Sequence, residues 1–338
     1  FAEACILETL ALSIYNYDCA VASAASRMTI AAHGRPCVDF GARRAHEQAA
    51  VAAARASVVG GFVGTSDLEA GMRYGIPTVG TSAHSFTLLH DSEEDAFAAQ
   101  VASLGAGTTI LVDTYDIARG VERAVKAARD AGGELGAVRL DSGDLVAEAF
   151  KVRAQLDALG ATTTKITVTN DLDEYAIAGL GAAPVDSYGV GTKLVTGSGR
   201  PTAALVYKLV ERAGSDGQMH QVAKFSEGGK ATVGGRKWAG RVAGADGSAV
   251  EELVISAREQ DEALAALSEA KARPLQIDLV CNGVIVEEHR GPQALAAAAE
   301  RHQVSRAELP YDAWRLSKGE PAVPTRHLDL DGRSPLQG

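Results

Sequence analysis

The sequence lacks several features that would assign it to a familiar class. No apolar stretch reaches about 18 uninterrupted residues, so no membrane-spanning helix is expected. Four cysteines in 338 residues, with no C-x-x-C pair, argue against a zinc ribbon, a redox motif or a disulfide scaffold and favour a reducing, cytoplasmic location. The net charge of −10 argues against non-specific nucleic-acid binding.

Two further motifs are missing from the first part of the chain. No G-x-G-x-x-G follows an early strand, which argues against a dinucleotide-binding Rossmann domain. The chain opens at Phe1 without the basic region of a signal peptide. Residues 1–33 instead resemble an amphipathic helix, and a helix that starts uncapped at the first residue predicts a chain that begins partway through a longer polypeptide.

What the sequence does have is a series of short apolar runs, each ending in small, polar or charged residues and mostly followed by a helical pattern. Buried parallel strands have this appearance, and their crossovers are usually helices. The predicted strands are Cys37–Phe40, Ser57–Val63, Ile76–Val79, Thr108–Val112, Gly136–Leu140, Lys165–Val168 and Val185–Gly189. The predicted helices between them are Arg44–Arg55, Asp67–Tyr74, Glu93–Leu104, Asp116–Ala131, Asp144–Leu159 and Asp171–Gly179.

The pattern changes after about residue 204. Strands predicted at Ala204–Val210, Val222–Phe225, Lys230–Val233 and Leu253–Ile255 are separated by glycine-rich turns, and helices are predicted at Glu259–Ala272 and Gly291–His302. We therefore predict an irregular, incomplete α/β barrel over residues 36–204, preceded by a helical segment at 1–35 that belongs to the flanking domain. A mainly antiparallel β appendage with C-terminal helices follows at 205–338. A doubly wound open sheet is the alternative.

In α/β barrels the loops that follow the strands meet at one face, where the chemistry takes place. One such loop, Gly80-Thr-Ser-Ala-His84, has glycine and small hydroxyl residues that allow a tight turn, whose backbone N–H groups can meet a phosphate. Ser82 is a candidate substrate-binding residue, and His84 is a candidate nucleophile or proton carrier. The alternative is a histidine that only forms hydrogen bonds within its loop.

A second loop, Arg139-Leu-Asp141-Ser-Gly-Asp144, combines a cation with two carboxylates. Arg139 has the planar fork that binds a carboxylate or phosphate, and Asp141 is suited to Mg²⁺ or to ribose hydroxyls. Asp144 is better placed to cap a helix. The alternative for this loop is a local ion pair, with Asp144 as the cap. Asp113 and Asp116 supply two more carboxylates, one for a metal and one for a helix cap.

The remaining candidates are anion-binding groups. Of the adjacent Arg43 and Arg44, at most one is expected to reach the site, and both are equally compatible with a solvated surface. Thr169 and Asn170 either form one wall of a phosphate site or cap a helix. Gly189, Gly191 and Thr192 predict a phosphate site in which the glycines let the backbone approach the anion.

Taken together, these segments resemble the nicotinate phosphoribosyltransferase family of NAD salvage, over nearly the whole chain. The segments are Asp39-Phe-Gly-Ala-Arg-Arg44, Gly61-Phe-Val-Gly-Thr-Ser-Asp67, Tyr74-Gly-Ile-Pro-Thr-Val-Gly-Thr-Ser-Ala-His84-Ser85, Leu111-Val-Asp-Thr-Tyr-Asp116, Arg139-Leu-Asp-Ser-Gly-Asp144, Tyr188-Gly-Val-Gly-Thr192 and Arg315-Leu-Ser-Lys-Gly-Glu-Pro321. Any one of them is weak evidence, but seven in the same order are strong.

The resemblance implies a type II phosphoribosyltransferase fold and the condensation of nicotinate with phosphoribosyl pyrophosphate, giving nicotinate mononucleotide and pyrophosphate. It implies that ATP transiently phosphorylates His84, that Mg²⁺ accompanies the pyrophosphate, with Asp113 and Asp141 as candidate ligands, and that the protein is a homodimer with shared active sites. Arg139 would then orient the nicotinate carboxylate, and Gly191 and Thr192 would hold the 5′-phosphate.

Three other interpretations remain open at this stage. Nicotinamide phosphoribosyltransferase shares the fold and the histidine but binds an uncharged amide. A metal-dependent aldolase or hydrolase on an α/β barrel would need several converging carboxylate or histidine ligands. A non-catalytic chain would bind a nucleotide or only dimerise.

Overall fold

The computed structural model describes residues 2–224 and 232–330. These residues form two compact units. The larger comprises Ser13–Ala203 and Gly291–Ala299, and the smaller comprises the other described residues. The predicted strands Val222–Phe225 and Lys230–Val233 reach into residues 225–231, which lie outside the described residues.

The larger unit alternates strands with helices, as predicted. Its strands are β1 (Cys37–Asp39), β2 (Gly64–Thr65), β3 (Thr109–Leu111), β4 (Ala137–Leu140), β5 (Lys165–Val168) and β6 (Ser187–Val190). Its helices are α1 (Ala2–Ala31, which begins in the smaller unit), α2 (Glu47–Val59), α3 (Leu68–Tyr74), α4 (His84–Leu88), α5 (Glu93–Leu104), α6 (Ile117–Asp130), α7 (Leu145–Ala158), α8 (Glu174–Gly179) and α9 (Thr192–Val195).

The six strands form one parallel sheet in the order β2-β1-β6-β5-β4-β3. This order follows the chain around a circle, since β6 pairs with β1, and the circle is open only between β2 and β3. A doubly wound sheet would instead reverse direction at a switch point. The curled half-barrel therefore confirms the predicted incomplete α/β barrel.

Side chains buried on both faces of the sheet form the core of this unit. All four residues of β4 are buried, and Ile166, Val168 and Tyr188 are fully inaccessible in β5 and β6. Such continuous burial is typical of parallel strands covered by helices. The carboxyl ends of the strands therefore lie on a rigid base.

Two predicted strands of the barrel are wrong. Residues 57–59 of the predicted strand Ser57–Val63 continue α2, because the alanine-rich helix before them extends to the glycine pair Gly60 and Gly61. The predicted strand Ile76–Val79 is reduced to a single parallel bridge between Thr65 and Thr78 at the open edge of the sheet. Short apolar runs do not distinguish a strand from a buried helix end.

The smaller unit is built mainly on antiparallel pairing. Its elements are β7 (Glu211–Ala213), β8 (Met219–Gln221), β9 (Lys237–Ala243), β10 (Ala249–Ser256), α10 (Gln260–Glu269), β11 (Ala272–Pro274), β12 (Val280–Cys281), β13 (Val284–Ile285), α11 (Gly291–Ala307, whose first residues belong to the larger unit) and β14 (Thr325–Asp329). Strands β9, β10 and β11 pair antiparallel, while β14 pairs with β10 in parallel.

The strand predicted at Ala204–Val210 is wrong, because residues 204–210 have no regular secondary structure. Its β-branched and aromatic residues favour a strand, but a strand also needs a neighbouring sheet edge. The helices predicted at Glu259–Ala272 and Gly291–His302 are present as α10 and α11. In the part of the chain that the structure describes, no helix is both long and apolar enough to cross a bilayer.

Candidate active site

The ends of β1, β3 and β4 and the loop before α4 surround a cavity of about 530 Å³ in the larger unit. Five of the predicted site residues line it, namely Arg43, Ser82, His84, Arg139 and Asp141. The other lining residues are Phe40, Ala42, Ser66, Gly80, Thr81, Ala83, Ser85 and Leu111. The structure thus brings distant parts of the sequence together at the carboxyl edge of the sheet, as the strand-end pattern predicts.

Arg139 lies at the base of the cavity and is only 9% exposed. Its Nε donates to the Thr169 hydroxyl at 2.8 Å and one terminal nitrogen donates to the Thr81 hydroxyl at 2.7 Å. The other terminal nitrogen lies 3.2 Å from Asp141 Oδ1. Because the guanidinium carries five N–H groups, these three contacts leave two for an anion.

His84 is the first residue of α4, and its side chain is 42% exposed. Its Nδ1 lies 3.1 Å from the Thr114 hydroxyl. Its Nε2 lies 3.9 Å from Asp113 Oδ1 and 4.0 Å from Asp141 Oδ2. The imidazole is therefore held from one side, with its other nitrogen directed at two carboxylates. Thr114 and the two carboxylates belong to other segments of the chain, so His84 does not form hydrogen bonds only within its own loop.

Asp113 is the strongest candidate for binding a cation. Its Oδ2 accepts from the Asp141 backbone N–H at 2.9 Å and from the Ser142 hydroxyl at 2.6 Å. Its Oδ1 is buried and has no hydrogen-bond partner among the described residues. A buried carboxylate oxygen without a partner is costly unless a cation or ligand completes it, so this side chain fits Mg²⁺.

Asp113 and Asp141 do not form a complete metal cage. The described part of the chain has no group of three or more histidine, cysteine, aspartate or glutamate side chains arranged to hold a metal. This agrees with the usual binding of Mg²⁺ by one or two carboxylates, with water and substrate phosphates completing its shell. The aldolase or hydrolase alternative, which needs several protein ligands, is not supported by these residues.

The paired arginines occupy a short 3₁₀ turn (Ala42–Arg44) after β1, and both are exposed. Arg43 lines the cavity, and Arg44 is not part of the lining. This matches the expectation that at most one of two adjacent residues reaches the site.

Thr169 and Asn170 follow β5 but differ in their surroundings. Thr169 is buried, accepts from Arg139 and donates to Asp141, so it holds these two side chains together. Asn170 is exposed, has a positive φ of 113°, and its side chain accepts from the Asp171 backbone N–H. The cap of α8 is Asp173, not Asp171. Asp144 and Asp116 cap α7 and α6, as predicted.

The predicted phosphate glycines have different roles in the fold. A Cβ on Gly189 would lie 2.6 Å from the Thr169 methyl and 2.7 Å from the Phe40 ring, so this glycine makes room for packing beneath the cavity. A Cβ on Gly191 would meet only the Phe40 carbonyl group, at 3.5 Å for its oxygen, an ordinary contact. Gly191 and Thr192 lie at the carboxyl end of β6, outside the cavity lining.

Sequence reasoning missed three residues at this site. Phe40 lines the cavity, and the Arg139 guanidinium lies 5.4 Å from the centre of its ring. Asp39 is buried beneath it and accepts from the Gly41 backbone N–H and the Thr65 hydroxyl, both at 2.7 Å. Burial raises the pKa of Asp39 above its ordinary value, although the Thr65 and Gly41 bonds partly oppose this. Gln100 bonds to Ser82 from behind the loop.

Phe40 and Gln100 differ in the signal that the sequence offers. Phe40 stands beside a strand end inside Asp39-Phe-Gly-Ala-Arg-Arg44, and its position was a usable signal. Gln100 lies within α5 with no pattern around it to mark it. Only the folded chain places its amide beside Ser82.

Comparison with known proteins agrees with this geometry. Residues 36–226 match the Nicotinate phosphoribosyltransferase (NAPRTase) family. The nicotinate phosphoribosyltransferase pncB1 of Mycobacterium tuberculosis is 50% identical over 336 residues, a match that covers 97% of this chain and 71% of that protein. The chain belongs to the nicotinate phosphoribosyltransferase family.

Solved structures of similar proteins confirm the fold. The nicotinate-nucleotide pyrophosphorylase of Pyrococcus furiosus is 26% identical, with a TM-score of 0.71 over 90% of this chain and 73% of that one. Human nicotinic acid phosphoribosyltransferase has a TM-score of 0.72 over 96% of this chain and 74% of that one. Its identity is 23%, so it supports the family's fold and nothing finer.

Proposed function

We propose that this protein transfers the phosphoribosyl group of phosphoribosyl pyrophosphate to nicotinate, as a step of NAD salvage. In this reaction the pyridine nitrogen forms a bond to C1 of the ribose, and the C1–oxygen bond to pyrophosphate breaks, with its electron pair leaving on the pyrophosphate. The products are nicotinate mononucleotide and pyrophosphate. The observation that carries the proposal is the buried Arg139, with two N–H groups to spare at the base of the cavity.

Arg139 would bind the nicotinate carboxylate through those two N–H groups. A guanidinium pairs with a carboxylate in a planar, two-bond arrangement, which orients the ring as well as holding it. Thr81, Thr169 and Asp141 already hold the arginine, so little freedom is lost when the substrate binds. Phe40 supplies an apolar face on which the pyridine ring can lie.

The leaving pyrophosphate requires positive charge. Mg²⁺, held by Asp113 and Asp141, would offset the charge that develops on it. Arg43 at the cavity wall would add to this. Gly191 and Thr192 would hold the 5′-phosphate through backbone N–H groups and a hydroxyl. Gly191 lies beside Phe40 at the end of β1, and neither residue lines the cavity.

His84 would accept the γ-phosphoryl group of ATP, with the bond from the γ-phosphorus to ADP breaking as the bond to the imidazole nitrogen forms, and water would later hydrolyse the phosphohistidine to release phosphate. Its Nε2 faces Asp113 and Asp141, the residues proposed to hold Mg²⁺, so a bound nucleotide phosphate would approach the imidazole beside the metal. The homodimer with shared sites, which the resemblance implies, and the cytoplasmic location, which the few cysteines favour, stay predictions. The mass of the particle in solution, measured by light scattering, checks the first, and cell fractionation checks the second.

A pyrophosphate-release assay tests the function. The purified protein is given phosphoribosyl pyrophosphate, Mg²⁺ and ATP, with nicotinate, with nicotinamide or with neither. We expect pyrophosphate to appear with nicotinate, in equal amount to the mononucleotide. Preference for nicotinamide would establish the nicotinamide enzyme instead, and no release with either pyridine would favour the non-catalytic alternative.

A further inference from the structure

The direction of the Ser82 hydroxyl follows from a buried amide behind it. Gln100 lies in α5, is only 3% exposed, and its Nε2 donates to the Thr109 backbone carbonyl at 2.8 Å. The same nitrogen lies 3.3 Å from the Thr108 hydroxyl. Because a carbonyl oxygen can only accept, the amide nitrogen must face β3 and the amide oxygen must face the other way.

The amide oxygen of Gln100 lies 2.7 Å from Ser82 Oγ. An amide oxygen also only accepts, so Ser82 donates its single hydroxyl proton to Gln100. Ser82 lines the cavity. Toward the cavity, its oxygen therefore has lone pairs and no proton, which makes Ser82 an acceptor only.

Resting on the proposed function, this restricts what Ser82 can bind. At neutral pH the nicotinate carboxylate, the pyridine nitrogen, the pyrophosphate and the 5′-phosphate all act as acceptors. The 2- and 3-hydroxyls of the ribose are the groups on the two substrates that donate. We propose that Ser82 accepts a hydrogen bond from a ribose hydroxyl of phosphoribosyl pyrophosphate, and that Gln100 is the positioning residue that keeps Ser82 in the accepting orientation.

Gln100 also ties the loop to the sheet. Residues 80–83 carry Thr81, which accepts from Arg139, and lead directly into His84. Through one side chain, Gln100 joins this loop to the start of β3, the strand that ends beside Asp113. Losing the amide would free the Ser82 hydroxyl to rotate and donate, and it would then no longer distinguish a hydroxyl from an anion.

The first test compares phosphoribosyl pyrophosphate with its 2-deoxy and 3-deoxy analogues. The ratio of kcat/KM for substrate and analogue is measured in the wild type and in Ser82→Ala, which removes one half-buried oxygen. Because Ser82→Ala loses one neutral hydrogen bond to the substrate, we expect this ratio to fall about three- to tenfold for one of the two analogues. Unchanged ratios for both analogues would overturn the proposal.

The second test isolates Gln100. Gln100→Met has a similar shape without the amide, and we expect the same analogue's ratio to fall as in Ser82→Ala. In the double variant the ratio should be no lower than in either single variant, because the two residues act through one hydrogen bond. Gln155→Met is the matched control, since the Gln155 amide donates to the Ala118 carbonyl at 2.7 Å and does not line the cavity. Independent, additive losses would refute the positioning role.

These results separate the inference from the proposed function. Nicotinate-dependent pyrophosphate release by the wild type reports on the function alone. If that release occurs and the analogue ratios do not change in the variants, the function stands and the assignment of Ser82 and Gln100 fails.

Discussion

At the residue scale, the site is organised by groups that share partners. The Thr169 hydroxyl accepts from Arg139 while donating to Asp141, and Asp113 accepts from the Asp141 backbone. Each side chain is therefore held by another member of the set. Shared hydrogen bonds of this kind reduce the freedom that a substrate would otherwise have to remove.

The chemical types of these residues were readable from the sequence, but their partners were not. A polar residue directly after an apolar run predicts a position at the carboxyl edge of a parallel sheet, and Arg139 and Asp141 lie there. The sequence does not show that Gly189 serves packing against Phe40, because a glycine that admits an anion and one that admits a ring look the same.

His84 is expected to carry the phosphate transferred from ATP. His84→Asn keeps a polar side chain at the start of α4 but removes the nucleophile, so acid-labile label from the γ-phosphate of ATP should disappear while nicotinate still binds. His90→Asn is the control, since the His90 ring is bonded to the Phe86 carbonyl at 2.8 Å and lies outside the cavity lining. Label that persists in His84→Asn would exclude this role.

Gly191 offers a test of the 5′-phosphate site that spares the fold. The added methyl group of Gly191→Ala meets only the Phe40 carbonyl group, at ordinary contact distance, so the melting temperature should stay close to that of the wild type. We expect a higher KM for phosphoribosyl pyrophosphate, because the methyl group stands where the phosphate would approach the backbone. An unchanged KM would place the phosphate elsewhere.

At the scale of elements, helix starts were more predictable than strands. Three helices begin at aspartate caps whose side chains accept from backbone N–H groups of the first turn, namely Asp67 for α3, Asp116 for α6 and Asp144 for α7. Such a cap bonds to residues two or three positions away, so the local sequence predicts it. Strand Lys165–Val168 was predicted with its observed bounds. The strand predicted at Ser57–Val63 was wrong, because helix α2 continues through Val59.

Helix α6 packs directly on the end of β3, and Gly120 makes this possible. A Cβ on Gly120 would lie 2.3 Å from the Val112 carbonyl oxygen, one residue before Asp113. Gly120→Ala should lower the free energy of unfolding by about 1–3 kcal/mol, since the backbone must shift, in spite of alanine's higher helix propensity.

Gly179→Ala is the matched control for Gly120→Ala in a urea unfolding experiment. Gly179 is the last residue of α8 and a Cβ there meets nothing within 4 Å, so the substitution should leave stability unchanged or slightly higher. Equal stability of the two variants would show that α6 and β3 are not as close as described.

At the scale of the whole molecule, a partly buried ion pair joins segments far apart in the chain. Glu174 on α8 is 3% exposed, and accepts from Arg27 of α1 at 2.8 Å and from Ser198 at 2.5 Å. Burial would raise the pKa of Glu174, but the bonds from Ser198 and Arg27 outweigh it and lower the pKa below its ordinary value. This pairing, across 147 residues for Arg27, could not be read from local sequence.

Because the pKa of Glu174 is lower in the folded state, its contribution to stability is present above the unfolded pKa and is lost as pH falls through the folded pKa. Glu174→Gln should reduce the free energy of unfolding at pH 7 by about 1–3 kcal/mol, and the difference from the wild type should shrink below about pH 4. Glu69→Gln, in an exposed pair with Arg73, should change stability by less than about 1 kcal/mol. A Glu174→Gln difference that does not depend on pH would contradict the pairing.

The central claim is that Arg139 selects nicotinate by its carboxylate, and one measurement tests it most directly. The ratio of kcat/KM for nicotinate over nicotinamide is measured in the wild type, in Arg139→Lys, which keeps the charge without the planar fork, and in Arg139→Gln. A charged hydrogen bond is worth about 1.5–3 kcal/mol, so the ratio should fall roughly ten- to hundredfold in Arg139→Gln, while the KM for phosphoribosyl pyrophosphate changes little. A ratio that stays at the wild-type value, or an equal loss for both pyridines, would contradict the account.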